Sequence, residues 1–498
     1  MTFQFSPSSS FKQDITLVPL ASNDHLTTEL RQIAQTIGVD LNNLEQDFKA
    51  EYNEILPLYT AGRRLFLLGL GKRLQMTDII RAFRSFAFRN KERLSDKLAI
   101  NLFHLQDAID HVSAVEAAVN GLYLGGYQIG NFKSERPVVP RFWQDATEVA
   151  FMLPADLHEA GERAAEKGLE MAQTQWSIMD LVNAPSNKKI PADLANWALR
   201  SGERYGYQVE VFDINRIRTV GLHALLAVNR GSEEPAAFIV MEYKPEREEG
   251  TLPRVGLVGK GVTFDVGGIS IKPSTNMHYM KSDMGGAAAV FGTMEMAAKL
   301  KLPVHLIGVV PATDNSVDAK SIKPSDVIDS YSGKTIEVID TDAEGRLILA
   351  DGLAYMLRHY EPEVLIDLAT LTGSTVRTFG YHAAALFTNN DELHDRLDDI
   401  SRKTGEKFWR LPLWDVYKED IKSDVADVRN YSGRPLAGAI GAAKFLEVFT
   451  ADHPAWVHMD IAGVAFTDSE FSSQKSATAY GIRLLTEYLI QLGGKKEG

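Results

Sequence analysis

Apolar residues recur along the first part of the chain with two different periods. Ile15–Val18, Leu65–Leu68 and Leu98–Ile100 are short apolar runs of strand length, whereas Thr77–Phe88 and the Ala-rich stretch Val112–Leu124 read as helices. This alternation predicts a smaller α/β domain over residues 1–155. From Ala155 to Val182 the chain is rich in Ala, Leu, Met and Glu and has no proline, which predicts a helix about 40 Å long at 1.5 Å per residue. The breaker cluster Asn183-Ala-Pro-Ser186 ends it, so residues 156–183 are expected to connect two domains.

Beyond residue 184 the pattern changes. Ala236–Tyr243 and Val255–Val258 are apolar strands on either side of the charged segment Lys244–Gly250, which suggests a hairpin. A helix over Gly285–Leu300, strands Val304–Val310 and Thr335–Ile339, a helix over Leu347–Tyr360 and a strand Val364–Leu368 follow. That order predicts a larger C-terminal α/β domain over residues 184–498 with a mixed, mostly parallel sheet covered by helices. In such sheets ligands sit beyond the carboxyl ends of the strands.

Composition narrows the chemistry. At 498 residues the chain exceeds what one core supports, and 45% hydrophobic with 24% charged residues is ordinary globular usage. A formal net charge of -13 argues against wholesale binding of nucleic acid or anionic lipid. There is no cysteine, which excludes disulfides, zinc-thiolate sites, iron–sulfur clusters and thiol nucleophiles. Met1–Ser10 lacks a basic region followed by an apolar stretch, and no run is long enough to span a bilayer, so the expectation is a cytoplasmic protein with no membrane partner.

Two segments collect acids where strands give way to loops. The first runs Gly259-Lys-Gly-Val-Thr-Phe-Asp265-Val-Gly-Gly268-Ile-Ser-Ile-Lys272 and continues to Met280-Lys-Ser-Asp283-Met-Gly-Gly286; the second is Asp340-Thr-Asp342-Ala-Glu344-Gly-Arg346. Taken singly, each acid is explained by a turn or a helix cap, and Asp283 before Gly285-Gly286 fits a cap. Together, Asp265, Asp283, Asp342 and Glu344 carry four negative charges, which match two divalent cations with oxygen ligands. Lys260, Lys272 and Arg346 are interleaved with them as electrophiles.

Asp340–Asp351 also fits much of a twelve-residue calcium loop with glycine at its sixth position, but the β-branched Thr335–Ile339 before it reads as a strand where an EF-hand needs a helix. Gly333-Lys-Thr335 imitates the end of a phosphate-binding loop, yet Ile328 replaces the required glycine. Gly-x-Ser-x-Gly and His-Glu-x-x-His are both missing, which removes the serine-hydrolase and zincin routes. Ser186-x-x-Lys189 reads as part of the inter-domain turn, and the lone His278 is left outside the site.

The segment Val258-Gly-Lys-Gly-Val-Thr-Phe-Asp265 through Asp283-Met-Gly-Gly286, with Asp340–Leu349, resembles the signature of the leucyl (cytosol) aminopeptidase family. The likeness extends through Asp180–Pro185, Thr370-Leu-Thr-Gly373, Ile421–Asp427 and His458–Gly463, and touches the first domain around Gly121–Tyr127. It implies a metal-dependent aminopeptidase that removes the N-terminal residue, preferentially a Leu-like one, from peptides with a free N-terminus. Two divalent ions, manganese or zinc, would be held by Lys260, Asp265, Asp283, Asp342 and Glu344 and would activate a water. Asp265 and Glu344 would bridge both ions, Asp342 would bind one of them, and Lys260 and Asp283 would complete the other. Lys260 ligates only as the neutral amine, which requires a strongly lowered pKa.

By the same resemblance Lys272 stabilises the developing gem-diolate and Arg346 holds a bicarbonate that serves as base. Met280, Thr370, Leu371 and Gly373 would line the pocket for the first side chain. A homohexamer of two stacked trimers is also implied. One residue departs from the pattern: Asp340 stands where the family usually has Asn. Some bacterial relatives also bind DNA; Arg81, Arg84, Arg89, Lys91 and Arg93 are the visible basic cluster, which a solvated helix face explains equally well. The competing readings are a calcium-binding protein built on Asp340–Asp351 and an aminopeptidase with a second, DNA-binding role.

Overall fold

Residues Ile15–Ala21 are buried almost throughout, and the reason is a sheet covered on both faces. In the computed structural model, which describes residues 1–7, 14–60, 62–72, 74–105, 109–130, 132–135, 138–144, 147–246 and 252–494, this strand is interior to a six-stranded sheet. Its neighbours run in the order Thr2–Ser6, Glu148–Met152, Lys97–Asn101, Ile15–Ala21, Arg63–Gly71 and Ile55–Thr60, parallel except for the last pair. Leu17 faces a core closed by Ile79, Phe83 and Phe86 of the helix Met76–Arg89 and by Ala118 and Leu122 of the helix His111–Leu124. Val18 and Leu20 point into a second core with Leu30, Ile33 and Phe48. Asp110 starts the His111–Leu124 helix by accepting from the Ser113 amide at 2.9 Å.

The chain divides into two compact units, Met1–Trp176 with Lys403–Gly405 and Glu470–Ser473, and Ser177–Arg402 with Glu406–Ser469 and Gln474–Gly498. A single helix fills His158–Asn183, so the division falls inside it. In the first unit the basic cluster is engaged internally. Arg81 and Arg89 both pair with Glu470, at 2.7 and 3.1 Å; Arg84 lies 4.0 Å over the Phe471 ring and Lys91 5.6 Å over Phe88. These contacts hold the side chains in place, but the single Glu470 carboxylate offsets only part of the cluster's charge.

The second unit is built on a nine-stranded sheet whose interior strands Trp456–Asp460, Val364–Ala369, Arg254–Gly259 and His305–Asn315 are mutually parallel, with antiparallel neighbours outside them. Two expectations are corrected here. Ala237–Tyr243 and Arg254–Gly259 do not form a hairpin, because His305–Asn315 lies between them, pairing with both. Both strands are apolar nearly throughout, and a strand hydrogen-bonded on each edge suits them better than a shared turn. Part of the expected turn, residues 247–250, lies outside the described residues.

The Thr335 strand is the second correction. It covers only Thr335–Glu337 and belongs to a separate three-stranded sheet with Val327–Asp329 and Val428–Arg429. The ladder ends there because the Asn430 side chain takes the amides of Ile339 and Asp340, at 2.8 and 3.3 Å. Among the described residues no helix is long and apolar enough to cross a membrane.

Candidate active site

Parallel strands deliver their carboxyl ends to one rim of the sheet, and the chemistry collects there. Lys260 follows the strand Arg254–Gly259, Asp265 ends Gly261–Asp265, Asn315 ends His305–Asn315, and Thr370 follows Val364–Ala369. Glu344 stands at the N-terminus of the helix Gly345–Tyr360. Lys260, Asp265, Lys272, Met280, Asp283, Asp342, Glu344, Arg346, Thr370, Leu371 and Gly373 all line one cavity of about 460 Å³, and Asp340 lines it with them.

Local backbone explains how acids come so close. Gly267 and Gly268 adopt positive φ, 90° and 64°, and turn the chain back so that the Gly267 amide donates to Asp265 Oδ1 at 2.8 Å. Asn315 Nδ2 donates to the same oxygen at 2.8 Å and to the Thr341 carbonyl at 3.1 Å. A side chain on Gly345 would meet Lys260 Nζ at 2.7 Å, so glycine leaves the room that the lysine fills.

Asp265, Asp342 and Glu344 each present an oxygen within 4.8 Å of the others. Lys260 Nζ lies 2.8 Å from Asp283 Oδ2 and 2.8 Å from Glu344 Oε1, and donates to the Thr370 carbonyl at 3.1 Å. Lys272 Nζ is 2.7 Å from Asp265 Oδ2 and also pairs with Asp342. Burial alone would lower the pKa of both lysines, but the surrounding carboxylates outweigh it and raise them above the ordinary value. Burial and repulsion from Asp265 push Asp342 up to about 7 against the pull of Lys272. Burial likewise raises Asp283 well above the usual carboxylate range. In the protein alone, Lys260 is thus an ammonium bound to carboxylates.

Glu344 is 1% exposed, and its Oε2 has no hydrogen-bond partner among the described residues. Buried carboxylate oxygens rarely stay unsatisfied. An all-oxygen set of this density with a lone pair left over fits hard divalent cations, which take such ligands and relieve the repulsion. Arg346, 6% exposed, donates to the Asn430 carbonyl at 2.6 Å, while its Nε has no partner among the described residues, an arrangement that suits a small anion.

Two simpler explanations of the acids fail. Asp283 is no helix cap: the next helix begins from Met284, and Asp283 instead accepts from Thr370 Oγ1 at 2.9 Å and pairs with Lys260. The Asp340–Asp351 segment is no calcium loop, because a strand precedes it and helix starts at Gly345. Asp351 is fully buried elsewhere, accepting from the amides of Leu225 at 3.0 Å and Tyr331 at 2.8 Å. Asp340 turns one oxygen, Oδ1, onto the Asp342 amide at 2.9 Å.

Residues 177–486 match the model of the cytosol aminopeptidase family, catalytic domain. The chain belongs to the cytosol aminopeptidase family. A probable cytosol aminopeptidase of Chloroherpeton thalassium is 41% identical, covering 96% of this chain and 97% of its own, and one from Geobacter sp. is 42% identical over 87% of each. A mutant of tomato leucine aminopeptidase superposes with a TM-score of 0.87 at 30% identity, covering 99% of this chain and 96% of its own. The bottromycin maturation enzyme BotP, in complex with Mn, gives 0.83 at 30% identity, covering 96% and 99%. The protein is therefore a metal-dependent aminopeptidase, an exopeptidase hydrolase acting on peptides, with the two-part α/β fold of leucine aminopeptidase.

Within this aminopeptidase several supporting residues escaped the sequence. Asn430 is fully buried and clamps the acidic loop, its Nδ2 donating to the Asp340 carbonyl at 2.6 Å; no local motif marks it. Lys189, read from the sequence only as part of the inter-domain turn, is fully buried and donates to the carbonyls of Val182, at 3.1 Å, and Lys281. It anchors the Met277–Ser282 turn that carries Met280 and leads into Asp283. Burial, with Lys281 nearby, brings its pKa down to about 7. Tyr431, Arg434 and Arg377 also line the cavity.

Proposed function

We propose that the protein removes a Leu-like hydrophobic residue from the free N-terminus of peptides with the help of two divalent cations, manganese or zinc. The observation that carries this reading is the convergence of Asp265, Asp342 and Glu344 within 4.8 Å, with Glu344 Oε2 unsatisfied. Asp265, Asp342 and Glu344, with Asp283 and Lys260 beside them, would hold these cations. When bound, the cations supply Lewis acidity toward the scissile carbonyl and a water made nucleophilic at neutral pH.

The chain's own groups do the rest. Lys260 would have to lose its proton to solvent to serve as a ligand; burial favours that loss and the carboxylates Asp283, Glu344 and Asp265, which the cations would engage, are what oppose it. Lys272, held over Asp265 and Asp342, offers an ammonium to the oxygen that gains charge as the amide is attacked. Arg346 would hold a bicarbonate, which when bound would supply a base beside the water; its buried Nε, without a partner among the described residues, supports this role. Met280, Thr370, Leu371 and Gly373 receive the first side chain, and Met280 adapts to several shapes.

The same reading assigns catalysis to residues 184–498, a connecting role to 156–183, and a separate N-terminal domain to 1–155. A homohexamer of two stacked trimers and a cytoplasmic location rest on the family resemblance; sedimentation checks the first. The deciding experiment is hydrolysis of Leu-Gly and N-acetyl-Leu-Gly, before and after chelation, with manganese or zinc restored. Leucine should appear from the unblocked dipeptide alone, vanish on chelation and return with metal. Equal cleavage of the blocked peptide, or turnover indifferent to chelation, overturns the reading.

A further inference from the structure

Asp460 ends the strand Trp456–Asp460, paired with Ala369 of the neighbouring strand, and is fully buried. It is not among the residues lining the cavity. Both of its oxygens are nonetheless occupied, and mostly by one loop. Oδ1 accepts from the amides of Leu371 at 3.1 Å and Ala462 at 3.2 Å; Oδ2 accepts from the hydroxyls of Thr372 and Thr375, each at 2.6 Å. As a carboxylate, Asp460 can only accept, so both hydroxyls donate to it, while the Thr372 hydroxyl also accepts from the Thr375 amide at 3.2 Å. An asparagine there would have to turn its amide nitrogen onto the two hydroxyls and reverse both bonds, exchanging charge-assisted contacts for weaker neutral ones.

Three of these four donors belong to the segment that leaves the sheet after Ala369 and lines the cavity through Thr370–Ser374. Thr370 is held a second time, by Lys260 Nζ on its carbonyl and through its own hydroxyl on Asp283. Leu371–Gly373 lack that second anchor among the hydrogen bonds to the acidic cluster. We infer that Asp460 is the positioning residue of the peptide-binding loop: it fixes the backbone of Leu371–Gly373 against the substrate's first residue, and not the cation-binding groups. The inference rests on the function proposed above for its substrate side, but the loop geometry stands without it.

The test uses the full chain with manganese added, as wild type, Asp460→Asn and Thr375→Val. In Asp460→Asn, amide exchange of residues 371–375 should quicken about tenfold, as expected for one buried hydrogen bond of ~1.4 kcal/mol. KM for Leu-Gly should rise about tenfold, kcat should stay within about threefold, and discrimination between Leu and Ala first residues should flatten, while bound manganese is unchanged. Thr375→Val, which removes one donor outside the cavity, should move the same quantities by about threefold. Unchanged exchange in both variants overturns the inference. So does loss of kcat and manganese at constant KM, which would place Asp460 behind the cation site. If wild type releases no leucine, the proposed function fails, and the exchange rates alone still decide whether Asp460 holds the loop.

Discussion

Glu344 and Asp351 lie seven residues apart, both almost wholly buried, and they have opposite fates. Asp351 is sealed into the second turn of the helix with its oxygens on the amides of Leu225 and Tyr331. Glu344 reaches Lys260 with one oxygen and leaves the other bare. Asp460 and Glu406 belong with Asp351: Glu406 accepts from the amides of Gly481 and Leu484 at 3.2 and 2.8 Å, at the start of the helix Ile482–Gly493. A buried acid whose lone pairs are filled by the chain is architecture. One that keeps a lone pair beside other acids can still take a cation.

The largest test of this contrast is Glu344→Gln, which removes a charge where the chain supplies no substitute. Turnover should fall about a thousandfold and bound manganese with it, while the thermal midpoint holds or rises; metal content and Leu-Gly hydrolysis decide it. Lys272→Met should lower kcat about a hundredfold and leave manganese bound, separating the oxyanion role from cation binding. If both variants retained wild-type turnover, the bare oxygen would have no catalytic meaning.

On the architectural side, Asp351→Ala strands two buried amides and should cost ~3 kcal/mol of stability, read by denaturant unfolding, with turnover per folded chain unchanged. A pH effect comes next. Burial lifts Glu406 and Asp351 each to about 7 against their backbone donors, so the folded chain holds these protons more tightly than the unfolded one. Their contribution is fully present below the unfolded values of 4.5 and 3.8 and is lost as pH rises through about 7. The unfolding midpoint should therefore fall as pH rises from 4.5 to about 7 and level off above that, and Glu406→Gln should flatten the slope. The smallest effect is expected at the exposed pair: Arg81→Ala should change stability by less than about 1 kcal/mol.

Much of this was legible in the chain itself. Asp265, Asp342, Glu344 and Lys260 lie in short glycine-flanked segments, where the local turn chemistry and the number of acids already demand a cation. The interior helices and strands of both units follow from apolar runs whose period the backbone must obey. Edge elements such as Thr2–Ser6 and Ile55–Thr60 were not, because half-exposed strands carry little apolar contrast.

What the sequence by itself determined is the set of candidate acids and lysines and the two-part α/β order, since those depend on neighbours along the chain. Only the tertiary structure decided which strands pair, placing His305–Asn315 between two strands that looked like a hairpin. It alone distinguished Asp351 from Glu344 and brought Asn430, Lys189 and Asp460 under the cavity from distant segments. The reason is physical: a carboxylate's role is set by the donors that reach it, and those donors come from elements remote in sequence, where no spacing records them.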